Sequence, residues 1–215
     1  MMNRRNLGRM AATLAVACSM VPWSAMAADE APDALIKRLS TEVISMVRDD
    51  KAIQAGDINK VITLVDKVIM PNVNFRRMTA AAVGPGWRKA SPEQQKRLQD
   101  EFKQLLVRTY SGALNQVTDQ SIVVKPLRAA PGDTDVLVRT EVIGRGEPVQ
   151  LDYRLEKTPG QGSGWKIYNL NVLGVWLVET YRTQFAEELN KNGIDGLIQT
   201  LASRSAMPAK ATNAQ

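Results

Sequence analysis

The sequence predicts one α+β domain, with helices laid over one face of an antiparallel sheet. Three observations carry this. From Asp33 to Val117 the apolar residues recur at helical spacing. Beyond Val117 the period changes to two, in four runs separated by glycine-rich turns. A final amphipathic stretch follows the last run, so one apolar sheet face must be covered by helices from both sides of the strand block.

The first helix is expected to be capped by Asp33, with Leu35, Ile36, Leu39, Val43, Met46 and Val47 on its buried side. Gly56-Asp57 restarts the pattern with Ile58, Val61, Ile62, Val65, Val68 and Ile69, and Pro71 stops it. A shorter helix holds Phe75, Met78 and Ala82 and ends at Val83-Gly84-Pro85-Gly86. Ser91-Pro92-Glu93-Gln94 is a strong start: an N-cap serine, a proline at the first helical position, and a glutamine able to close a capping box. The long helix it opens carries Leu98, Phe102, Leu105, Leu106, Thr109, Tyr110, Ala113, Leu114 and Val117 on one side, and mostly charged residues on the other.

Four strands are expected, at 121–127, 135–143, 148–157 and 164–173. The third is the most legible. Val149, Leu151, Tyr153 and Leu155 face one way, and Gln150, Asp152, Arg154 and Glu156 face water. Gly174 opens the last helix, with Val178, Tyr181, Phe185 and Leu189 inward. Asn192-Gly193 ends it before a short helical coda from Ile194 to Ala202, and 206–215 reads as a disordered tail.

Residues 1–27 read as an address. A basic start to Arg9, an apolar run from Met10 to Val21 and the small residues of Ala25-Met26-Ala27 match a secretory leader cleaved after Ala27. The run is too short to span a bilayer. The expected mature domain is 28–205, in the periplasm. Arg4-Arg5 leaves the choice between the general and twin-arginine export routes open. Three of the 28 basic residues lie in the leader, leaving 25 against 22 acids, interleaved along the chain. No concentrated basic stripe argues for nucleic acid.

Absences narrow the chemistry. The chain has no histidine, and its one cysteine, Cys18, lies in the leader. Nucleophile systems built on Ser-His-Asp or Cys-His are excluded, and so are disulfides in the mature chain. No metal site and no cofactor is expected. The adjacent acids Asp49-Asp50 sit at a helix end and Glu187-Glu188 on a polar helix face. Neither pair shows the alternation of a calcium loop. There is no phosphate-cradling glycine pattern. Aromatics are only 5% of residues, so an opened core would have aliphatic walls.

An ordered set of short pieces resembles the MlaC / toluene-tolerance family. In the front half these are Phe75-Arg76-Arg77-Met78, Val83-Gly84, Trp87-Arg88, Gln94-Gln95, and Phe102, Leu105, Leu106, Thr109 and Tyr110. In the back half they are Val138-Arg139-Thr140, Val149-x-Leu151-x-Tyr153-Arg154-Leu155, and Gly164-Trp165-Lys166-Ile167-Tyr168. Gly174-Val175-x-Leu177-Val178-x-x-Tyr181-Arg182-x-x-Phe185 and Gly193 to Ile198 close the set. The match runs from about Leu35 to Leu201. The sequence departs from the family pattern at Pro85, Leu98, Asn169, Leu173 and Trp176. The tryptophan stands at a strand-to-helix junction and is expected to reshape a pocket mouth.

The resemblance implies a cone related to the NTF2-like and cystatin-like folds, with helices around a curved sheet of about four strands and a lipid pocket inside. It implies a soluble periplasmic phospholipid carrier, monomeric and not an enzyme. Its partners would be an inner-membrane ABC transporter with MCE-domain subunits and an outer-membrane lipoprotein–porin complex. Expected lipid-binding residues are Met78, Phe102, Leu106, Tyr110, Leu151, Tyr153, Leu155, Leu170, Val172, Val175, Val178, Tyr181 and Phe185. Arg139, Arg154 and Arg182 are the expected headgroup or partner surface. Two other readings stay open. One is an enzyme on the same cone, with Asp152 or Asp135 as base and a tyrosine as oxyanion donor, which needs a carboxylate on the apolar sheet face. The other is a ligand-free adaptor with a filled core.

Overall fold

The computed structural model describes residues 30–114 and 117–206. The expected leader and tail lie outside them. Helix α1 (Pro32–Asp49) starts one residue earlier than the sequence suggests. Pro32 takes the first helical position, where its missing N–H is no loss. Asp33 is therefore not the cap but sits in the first turn, where a carboxylate favours the positive end of the helix. The acid pair at the far end has a structural job: Asp50 caps the short α2 (Lys51–Gln54), accepting from the Ala52 and Ile53 N–H groups.

Asp57 caps α3 (Ile58–Leu64), which loosens into a π-turn at Val65–Ile69 and a 3-10 turn at Met70–Asn72. Asn74 caps α4 (Phe75–Val83) by accepting from the Arg77 N–H at 2.9 Å. A 3-10 segment (Gly84–Lys89) follows. Gly84 has φ 65° and ψ −138°, a conformation that a side chain would strain. The expected capping box opens α5 (Pro92–Leu114): the Gln94 N–H donates to Ser91 Oγ, and the Ser91 N–H to Gln94 Oε1.

Five strands, one more than expected, form an antiparallel meander in the order β1-β2-β3-β4-β5 among the described residues. They are β1 (Ser121–Val124), β2 (Asp135–Ile143), β3 (Val149–Lys157), β4 (Trp165–Val172) and β5 (Val175–Trp176). The extra strand is two residues long. It is made by a two-residue turn at Leu173 (φ 51°) and Gly174 (φ 86°), both in the left-handed region that suits a tight hairpin. Helix α6 (Leu177–Ala206) therefore starts three residues later than Gly174, and it kinks at Gly193 (φ 67°) into the expected coda.

The sheet register explains its two faces. Directly opposed residues share a face. Val136, Val138, Thr140 and Val142 of β2 stand opposite Leu155, Tyr153, Leu151 and Val149 of β3. Across the next pair, Tyr153 meets Leu170 and Leu151 meets Val172. A bulge interrupts this pair: Arg154 opposes Asn169 while Leu155 opposes Ile167, leaving Tyr168 as the extra residue. The bulge lets Ile167 and Leu170, three apart, share the covered face. Tyr168 turns to the other face, where the Arg77 guanidinium stacks on its ring. The edge of β4 not paired by β5 is closed by Val73 and by the Asn74 N–H, which donates to the Ile167 carbonyl at 2.8 Å.

Asp152 corrects an expectation. Its register puts it on the outer face, as the alternation predicts, yet it is not wet: only 5% of it is exposed. Gln150 donates to its Oδ2 at 2.7 Å, and its cross-strand neighbour Asn171 is also buried. Strand periodicity assigns a face but cannot show that side chains on that face cover one another.

Candidate functional site

Buried apolar residues fall into three clusters rather than one. The first joins α4, α5 and α6 around an aromatic group in which the Phe102 ring meets Tyr181 and Phe185 edge-on, at 5.0 and 5.2 Å between centroids. The second sets Leu35, Ile36 and Leu39 of α1 on the sheet, against Val136, Val138, Leu155 and Ile167. The third is wholly helical: Val47, Ile53, Val61, Leu64 and Val107, flanked by half-buried Ile62, Val65, Ile69 and Leu114. Val43 of α1 touches both the second and the third cluster.

The sheet under that third cluster is not filled in. Toward its β2–β3 and β4–β5 turns, the covered face continues as Ile122, Val142, Val149, Leu151 and Val175. None of these aliphatic side chains joins a buried cluster; Ile122, Val142 and Leu151 are half-buried, and Val149 and Val175 are exposed. Val175 is 51% exposed, and Leu173 at the turn 60%. The result is a stretch of apolar sheet face, on β1–β5, that the helices leave part-open. Met46, Tyr110, Val149, Leu173 and Val175 are among the exposed large apolar side chains. Thr140 and Tyr153 put hydroxyls on the sheet wall. Thr140 donates to the Leu151 carbonyl at 2.7 Å, and Tyr153 bonds Ser40 and Thr140. Burial raises the Tyr153 phenol above its ordinary range, so it stays neutral.

Such a face can hold methylene chains. The two candidate bases lie on the other face of the sheet. Asp135 is exposed and accepts from the Tyr168 hydroxyl, with Arg77 at 3.5 Å. Asp152 is buried beside Gln150. Among the described residues no group of three or more acids, histidines or cysteines could hold a metal. No helix among them is long and apolar enough to cross a membrane.

Residues 37–203 match the family described as MlaC protein. The chain belongs to the MlaC family. Among its relatives is a Pseudomonas putida protein called toluene tolerance protein ttg2D, 27% identical over 87% of this chain and 86% of that protein. Another is the intermembrane phospholipid transport system binding protein MlaC of Haemophilus influenzae, 24% identical over 84% of this chain and 85% of that one. A solved structure from Ralstonia solanacearum, described as a phospholipid-binding protein in complex with a phospholipid, superimposes with a TM-score of 0.77. It is 47% identical and covers 81% of this chain and 96% of its own.

With the MlaC fold in hand, the residues singled out from sequence divide by place. Leu151, Val172 and Val175 stand on the sheet wall, with Tyr153 and Leu170 above them on the same face. Leu106 and Tyr110 are half-buried and exposed, respectively, on the last turns of α5. Leu155 is fully buried beneath α1. Met78, Phe102, Val178, Tyr181 and Phe185 fill the first cluster. Tyr110 and Tyr181 share a hydrogen bond. Burial, with Tyr181 as neighbour, pushes the Tyr110 phenol up to about 12. Arg139 is exposed on the outer face of β2. Arg154 stacks on Trp176, 4.2 Å from the ring centroid, and pairs with Glu179 at 3.1 Å. Arg182 is exposed on α6 beside Gly84. The lipid-binding candidates named from sequence leave out Ile122 and Val142, although the period of two in β1 and β2 marks them, and Val149, although the alternation in β3 sets it on the apolar face.

Proposed function

We propose that this MlaC-family protein is a carrier that holds phospholipid by its acyl chains in the cleft between sheet and helices. The observation that carries the reading is the row of open aliphatic side chains on a sheet face that helices should otherwise cover. The names of the relatives and the phospholipid in the Ralstonia complex support it. The polar headgroup would stay in water at the open end, beside Leu173 and Val175. Export by the N-terminal leader, with cleavage after Ala27, would place the carrier in the periplasm as a monomer. There it would move lipid between an outer-membrane lipoprotein–porin complex and an inner-membrane ABC transporter with MCE-domain subunits.

The energetics suit a carrier. Burying a methylene is worth about 0.8 kcal/mol relative to water. Roughly 30 methylenes in two acyl chains would give on the order of 24 kcal/mol, beyond the practical affinity ceiling of about 21 kcal/mol. The lipid, however, leaves one dry environment for another. Extraction from a bilayer is then close to balanced, and docking partners can set direction. Organic extraction of protein purified without detergent tests the reading. Diacyl phospholipid at one molecule or more per chain is expected; an extract without lipid would favour the ligand-free adaptor.

A further inference from the structure

Between Asp66 and Glu93 the chain carries Lys67, Arg76, Arg77, Arg88 and Lys89 and not one acid. The fold gathers part of this stretch into one surface. Arg76 of α4 lies over the Trp87 ring, 5.6 Å from its centroid. Arg88 and Lys89 end the 3-10 segment that holds Trp87. Arg182 of α6 reaches the same segment, its Nε 3.7 Å from the space a Cβ on Gly84 would fill. Gly86 meets Leu189 of α6 just below. Arg76, Arg88, Lys89 and Arg182 are all exposed, and none makes an ion pair among the described residues. Arg77, by contrast, is neutralised by Glu156 and Asp135. Elsewhere the charges are interleaved.

We propose that the surface formed by α4, the segment 84–89 and the adjacent turn of α6 docks a carboxylate-bearing face of a partner protein. Arg76 gains its contact with the Trp87 ring, but four like charges without acid partners repel one another in the isolated chain. An acidic surface would relieve that repulsion and steer encounter. Three of the four are arginines, whose planar forks match carboxylates two bonds at a time. A bilayer surface is the poorer fit. Membrane-binding faces combine basic residues with apolar ones that insert. The exposed large apolar side chains among the described residues, Met46, Tyr110, Val123, Ile143, Val149, Leu173 and Val175, all lie on other elements. The proposal rests on the carrier reading for its biological sense, since a carrier must be recognised by what loads or unloads it.

The test places a photoreactive benzoylphenylalanine at Lys89 in the full chain, expressed in its host. Irradiation should give a discrete protein adduct whose cross-linked peptide is rich in Asp and Glu. The triple change Arg76→Glu, Arg88→Glu and Arg182→Glu should cut the adduct at least about tenfold, as expected for truncating charge-steered contacts. Arg76→Gln, Arg88→Gln and Arg182→Gln should cut it less, and this set keeps the test valid if the reversed variant misfolds. Circular dichroism and bound lipid should stay at wild-type values in the variants. Lipid-free wild-type protein would therefore fail the carrier reading and leave the docking result to stand alone. An adduct that persists in both charge variants overturns the proposal, as does a cross-linked peptide without acids. So does a wild-type protein that sediments with vesicles of phosphatidylglycerol and phosphatidylethanolamine while the charge variants do not.

Discussion

Replacing Leu155 and Leu151, which share one face of β3 on either side of Tyr153, should separate fold from ligand. Leu155 has no exposed surface and sits among Leu35, Ile36, Leu39, Val136 and Ile167. Leu155→Ala removes three carbons from a filled site. Large-to-small changes of this kind cost about 2–5 kcal/mol, and the full burial here points to about 3. A domain with ordinary stability of about 5–15 kcal/mol survives that loss. Leu151 is half-open and belongs to no buried cluster. In the empty cleft a Leu151→Asp carboxylate still meets water, and the lost half-burial costs about 1 kcal/mol at about 0.8 per methylene. In the loaded cleft the same carboxylate faces acyl chains without a partner. Bound lipid should fall at least about tenfold, equivalent to about 1.4 kcal/mol. Urea unfolding followed by circular dichroism gives the stabilities. It must be run on delipidated protein, because bound lipid adds its own stabilisation. Phosphorus per chain after organic extraction gives occupancy. The reasoning is refuted if Leu155→Ala loses lipid without losing stability, or if Leu151→Asp folds and keeps full occupancy.

Further outcomes follow from the helix ends and the phenols. Asn169 Oδ1 accepts from the Val178 N–H at 3.2 Å, capping α6 from the neighbouring strand. Asn169→Leu should destabilise the domain by about 1–2 kcal/mol in the same urea assay, the range for losing a cap. A Cβ on Gly196 would come within 2.2 Å of Asn192 Cβ. Gly196→Ala should therefore lower the melting temperature, and Asn192→Gly in the same chain should restore part of it. Tyr110 and Tyr168 are each pushed up to about 12, burial being the largest cause in both. Their neutral forms support the fold, so this contribution is whole below the ordinary phenol value of 10.0 and is lost as pH rises to about 12. Absorbance at alkaline pH should show late-titrating tyrosines, fewer by one in Tyr110→Phe. An unchanged titration in that variant would remove Tyr110 from the late set.

Much of this architecture is legible in the residues because local chemistry and tertiary need agree. The Ser91-Pro92-Gln94 box starts α5 where the sequence says, and the alternation from Val149 to Leu155 names the covered face correctly. The failures have particular causes. The bulge at Tyr168 shifts the alternation within β4, which a strict period of two cannot anticipate. Strand β5 has two residues, too few to carry a period. Asp152 reads as solvated from the alternation, but it is buried, with Gln150 bonded to it and Asn171 opposite across the strands. The candidate site was half legible. Apolar faces identify inward residues, but not which inward positions helices fill, as at Phe102 and Phe185, and which they leave open, as at Leu151 and Val175. That distinction depends on where α1, α4 and α6 lie on the sheet.

The central claim is that acyl chains lie against the part-open apolar face of the sheet, between it and the helices. It is tested most directly by loading the delipidated protein with a phospholipid carrying a photoactivatable diazirine in one acyl chain, irradiating, and mapping the modified residues by peptide mass spectrometry. The account predicts adducts at Val142, Leu151, Val172 and Val175 on the sheet and at Leu106 and Tyr110 on α5. Adducts confined to the aromatic cluster of Phe102, Tyr181 and Phe185, or to the outer face around Arg139 and Asp152, would contradict it.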